Sequence, residues 1–131
     1  MGFHAHKTLI VTSYNAGLIL TAHDKACALF SARGVSNLSD ALVNGFSSFA
    51  VWPDGSKEGW SESDDVDELM RTYILWLEDQ QFSDGGNALD WGLCQFATDD
   101  RDVCAWMKTR YREFGDVPPE FRTTPKETSD D

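Results

Sequence analysis

Seven carboxylates fall between positions 54 and 68: Asp54, Glu58, Glu62, Asp64, Asp65, Asp67 and Glu68, with Trp60 set among them. Such density suits three kinds of chemistry. A hard cation takes several oxygen ligands. A general acid and base can share a site if burial keeps one carboxyl neutral. A patterned negative surface can engage a basic protein. Spacing argues against the first, because Asp64-Asp65-x-Asp67-Glu68 lacks the glycine turn and terminal bidentate Glu of a calcium loop. No His stands where it would complete a transition-metal site. Context argues against the second, because these acids lie in a polar run where all would ionise. The third stands beside a plainer alternative, helix-start residues on a solvated face. Duplex DNA carries about one charge per 1.7 Å of axis, and this segment, joined by Asp84, Asp99, Asp100 and Asp102, approximates that density. Trp60 would add an apolar anchor, since Trp is enriched at binding hot spots.

Other reactive residues are sparse. His4 and His6 lie two apart, and with Met1 removed His4 would stand third from a free amine, a spacing that chelates Cu(II) or Ni(II). Terminal residues make that pattern readily by accident. His23 falls within a helical pattern without evident partners. Cys27, Cys94 and Cys104 form an odd set with no Cys-x-x-Cys spacing, which points to reduced thiols rather than a disulfide framework or thiolate zinc site. No base adjoins Cys27 or Cys94 in the sequence. Nucleophile-elbow, phosphate-loop and dinucleotide signatures are absent. A non-enzymatic protein with no cofactor is expected.

The charge is uneven. The formal net charge is -11 at pH 7, yet residues 1–53 carry two acids and three bases. Residues 54–103 carry fourteen acids against Lys57, Arg71 and Arg101, so the whole excess lies in this middle stretch. Phosphates would be repelled, which argues against nucleic acid or an anionic membrane as a direct partner and favours a basic protein. No apolar run is long enough to cross a bilayer, and the first residues lack a secretory layout, so an intracellular protein is expected.

The elements that must position these groups can be read from periodicity. Lys7–Tyr14 is β-branched and apolar, as in a buried central strand. Asn15 is a candidate N-cap for a helix from Ala16 to Arg33, with Ile19, Ala22, Ala26, Leu29 and Phe30 inward and Gly34 as its C-cap. Residues 35–45 read as a long connection. Phe46–Trp52 is a second strand, Pro53-Asp54-Gly55-Ser56 a tight turn, and Lys57–Ser61 a return strand carrying Trp60. Ser61 or Ser63 then caps a helix whose buried stripe is Val66, Leu69, Met70, Tyr73, Trp76 and Leu77. Asp90–Thr98 is a further strand with Trp91, Leu93 and Gln95 on one face. Val103, Trp106, Met107, Tyr111 and Phe114 suggest a C-terminal helix. The expectation is one α+β domain over 1–115, an antiparallel sheet with helices on one face in the order β-α-β-β-α-β (split βαβ, ferredoxin-like), and a loose tail over 116–131.

Val43-Asn44-Gly45-Phe46-Ser47-Ser48-Phe49, Pro53-Asp54-Gly55-Ser56-Lys57-Glu58-Gly59-Trp60 and Ser63-Asp64 resemble a group of small hypothetical proteins of phages and integrated elements of proteobacteria. Phe82-Ser83-Asp84-Gly85 and Leu89-Asp90-Trp91 are similar to its later part. The resemblance covers roughly residues 7–98, and residues 101–114 depart from it. The group has no assigned function, so no residue inherits a role. What it implies is context: a small protein of a mobile element in a bacterial cytoplasm. Together with the charge, that context suggests an acidic inhibitor of a host nucleic-acid-binding defence complex, anti-CRISPR-like and a DNA mimic, binding through Asp54, Glu58, Trp60, Glu62, Asp64, Asp65, Asp67 and Glu68. The alternative is a structural or accessory protein that forms a homo-oligomer, such as a homodimer pairing its sheet or its aromatic helix.

Overall fold

A computed structural model of the chain describes residues 5–55, 61–97 and 105–122. Five strands form one antiparallel sheet: β1 (Ala5–Ser13), β2 (Ser47–Val51), β3 (Asp90–Ala97), β4 (Trp106–Thr109) and β5 (Glu113–Gly115), in the spatial order β2-β1-β3-β4-β5. Two helices, α1 (Ala16–Phe30) and α2 (Ser61–Glu78), complete the α+β architecture.

Alternation in β1 decides which face is covered. Leu9 and Val11 are fully buried, whereas Ile10 between them is 50% exposed. The buried parity continues through Phe49 and Val51 of β2, Trp91 and Leu93 of β3 and Trp106 of β4. These join Ile19, Ala22 and Ala26 of α1 and Met70, Tyr73, Ile74 and Leu77 of α2 in one core. Asn15 caps α1, its Oδ1 accepting the Leu18 N–H at 3.0 Å. Tyr73 ties the helices together by donating its hydroxyl hydrogen to the Ala22 carbonyl at 2.7 Å.

The strand order corrects the expected topology. A split βαβ arrangement would seat the expected third strand, Lys57–Ser61, between β1 and β2, but β2 lies directly beside β1 and antiparallel to it. The long connection explains why. Helix α1 ends early, at Ser31 with φ 68° rather than at Gly34, and the chain then runs back along the outer edge of β2. The Ser36 N–H donates to Ala50 O at 2.8 Å and the Ser39 N–H to Ser48 O at 2.9 Å. In return, the Ser36 and Ser39 hydroxyls accept the N–H groups of Ala50 and Ser48 at 2.8 and 3.0 Å. The stretch read as a plain connection is therefore a strap satisfying the edge of β2.

Two further expectations change. Ser61 opens α2 and is not the end of a return strand; the rest of that expected strand lies outside the described residues. The expected C-terminal helix is instead the β4–β5 hairpin. Trp106 and Lys108 are buried while Met107 is exposed, a period of two that apolar counting at helical spacing obscured. The Thr109 hydroxyl accepts the Arg112 N–H at 3.1 Å within the turn. At Gly115, φ is 78° and a Cβ would stand 2.7 Å from Ala105 O, so only glycine fits. Beyond the hairpin, Val117 and Phe121 are buried, so the packed domain continues through Phe121.

Candidate functional site

The acidic segment divides once it is folded. Asp64 and Asp65 stand exposed in the first turns of α2, where the helix dipole favours negative charge. Asp67 turns inward: its Oδ1 lies 3.1 Å from Lys7 Nζ, a lysine on the covered face of β1 with 8% of its side chain exposed. Glu68 pairs with Arg71 one turn along the helix. Asp54 is exposed and lines a shallow cleft with His6, Lys7, Val66 and Asp67. That cleft has room for little more than a water molecule. Glu62 lies in the first turn of α2, and Glu58 and Trp60 lie outside the described residues. The fold thus brings Asp54 and Asp67 together beside Lys7, and leaves Asp64 and Asp65 as the unpaired acids of the described set.

Among the described residues, the histidines and cysteines are held in packing contacts; His4 and Cys104 lie outside them. His23, read as having no special role, donates from Nε2 to the Ser36 carbonyl at 2.8 Å and packs its ring edge-on to Phe49. It fastens α1 to the strap. Its Nε2 also lies 3.8 Å from Cys27 Sγ, a neighbour that the i, i+4 spacing could have disclosed. Because that nitrogen already holds a hydrogen for Ser36, it is not the base a thiol nucleophile requires. His6 packs against Phe96. Cys94 lies half-buried on β3, and burial pushes its thiol above the ordinary range, away from thiolate reactivity. Among the described residues no cluster of three His, Cys, Asp or Glu side chains could hold a metal ion.

The larger feature is the uncovered sheet face, which sequence reasoning did not assemble. Register places Ala50, Ile10, Gly92 and Thr109 in one row across four strands. Thr8, Cys94, Met107 and Phe114 form the next. His6 and Phe96 lie at one end, Ser48, Thr12 and Asp90 at the other. Ile10, Phe96, Met107 and Phe114 are 50%, 50%, 38% and 43% exposed, and Trp52, one residue past β2, is 52% exposed. An antiparallel sheet with one face in water ordinarily alternates apolar-in and polar-out. Here the outward rows are apolar or small, with charge only at the rim.

No family model, curated protein or solved structure matches the chain. No helix among the described residues is long and apolar enough to cross a membrane.

Proposed function

We propose that this chain is a non-enzymatic interaction protein whose working surface is the uncovered face of its sheet. One observation carries this reading: large apolar side chains from four strands, together with Trp52 beside β2, converge on a face that no helix among the described residues covers. Contiguous exposed apolar surface of this kind marks contact sites. The reading corresponds to the structural or accessory role expected above, with the sheet rather than the acids as the primary contact.

A second reading rests on Asp64 and Asp65, which stand in solvent without ion-pair partners, with Asp54 nearby in sequence and Glu68 one turn along the helix. These carboxylates would enter the basic groove of a nucleic-acid-binding defence complex in a bacterial host, as a mobile-element inhibitor would. That contact would weaken with salt, because exposed charge pairs are screened over about 10 Å at moderate ionic strength.

Affinity capture from bacterial lysate at low and high salt separates the two. The native chain is run beside Ile10→Lys and beside the triple variant Asp64→Asn, Asp65→Asn, Glu68→Gln. Capture lost only in Ile10→Lys supports the sheet face. Salt-sensitive capture of a nucleic-acid-binding complex, lost only in the triple variant, supports the acidic surface and displaces the first reading.

A further inference from the structure

Nothing among the described residues explains Gly92. It sits in the interior of β3 with a backbone any residue can adopt, and a Cβ there would meet nothing within 4 Å. Interior strand glycines weaken a sheet, and they persist where another backbone or a ligand approaches closely. Its neighbour across the ladder is Ile10, half-exposed, with small Ala50 on the other side. The centre of the uncovered face is thus a single knob flanked by gaps.

We propose that this face stacks on the same face of a second copy, about a two-fold axis running along the strands between β1 and β3. The inference rests on the sheet face being the contact surface and names its occupant. In that arrangement Ile10 of each copy seats over Gly92 of the other, the reciprocal contact that a two-fold interface requires. Stacked sheets approach to about 10 Å, a spacing that an isoleucine opposite a glycine can fill. Charge points the same way. The chain carries -11, yet the charged or imidazole groups on these rows are His6 and Asp90 at opposite ends. The axis puts Asp90 over Thr12 of the second copy, not over another carboxylate. The acidic start of α2 faces outward from the covered side. The large apolar side chains expose roughly 500 Å², and the partly exposed Thr8, Thr12, Ala50 and Cys94 extend the face toward the roughly 800 Å² per partner of a stable interface.

Sedimentation velocity of the full chain, up to about 100 µM, tests the inference. The expected result is a species of twice the monomer mass. Gly92→Phe should raise its dissociation constant by at least about 100-fold while the thermal stability of the monomer is kept, because a Cβ at this position meets nothing within 4 Å among the described residues. Ile10→Lys should do the same by burying a charge on both sides of the axis. Should either variant fail to fold by circular dichroism, the other alone decides. A native chain that is monomeric throughout overturns the inference, as does a dimer that survives both substitutions. In the monomeric case, protein capture lost in Ile10→Lys leaves the contact-surface reading standing with a different partner. Capture unaffected by Ile10→Lys removes that reading as well.

Discussion

Lys7 Nζ lies 3.1 Å from Asp67 Oδ1, so the covered face of β1 is fastened to the second turn of α2 by an ion pair largely out of water. One of the acids that resembled a binding surface is thereby a structural counter-ion. Removing one partner from a mostly buried pair weakens the compensation of the other charge, which is more damaging than replacing both.

Asp67→Asn is expected to destabilise the fold by about 2 kcal/mol, and the double replacement Lys7→Met, Asp67→Leu by clearly less. Urea unfolding of the three chains measures this. Equal losses in the single and double variants would remove the pair from the account of stability.

The strap predicts a local effect. Ser36→Ala and Ser39→Ala each withdraw the acceptor of one β2 amide, at Ala50 and Ser48 respectively. Each should cost about 1 kcal/mol and speed hydrogen exchange at that amide. Exchange that rises uniformly along β2 would mean the strap detaches as a unit.

Tyr73 predicts the alkaline limb. Burial, followed by the nearby Cys27, pushes its hydroxyl well above the ordinary tyrosine range. The folded state therefore holds this proton more tightly than the unfolded chain. The contribution is complete below the unfolded value near pH 10 and is lost as pH rises beyond it. Tyr73→Phe should cost about 1 kcal/mol at neutral pH through the lost bond to Ala22 O, and should flatten the decline above pH 10. Thermal unfolding between neutral and alkaline pH checks both signs.

Gly115→Ala should destabilise by about 2 kcal/mol, since φ 78° and the 2.7 Å approach of Ala105 O both exclude a side chain. Gly92→Ala should do the opposite or nothing in the monomer. Comparing the two melting temperatures contrasts a glycine required by the backbone with one that the monomer does not need.

The α+β class, both helices and β1, β2 and β3 were legible because their apolar periods are long and their turn residues distinct. Asn15 and the Trp91–Leu93 face could be read directly. The C-terminal hairpin was not, because Lys108 occupies an inward position beside Glu113 and the Trp91 ring, contacts that composition does not signal. The strand order was hidden in Ser36 and Ser39, whose hydroxyls perform a ladder function that composition does not signal. Of the acids, the sequence could not distinguish Asp67 from Asp64 and Asp65, since that difference depends on Lys7 some sixty residues away. The uncovered face escaped because its parts come from five separate segments.

The strap along β2 also limits what the molecule can become. An open strand is a template on which further chains can pair indefinitely, and fibres grow when both flanks of a sheet offer one. Here one flank is already occupied by the chain's own serines, and the other ends in the three residues of β5 and the sharp turn at Gly115. Strand addition at β5 can join one neighbour and then stops, so large assemblies of this protein cannot propagate edge to edge through the described strands.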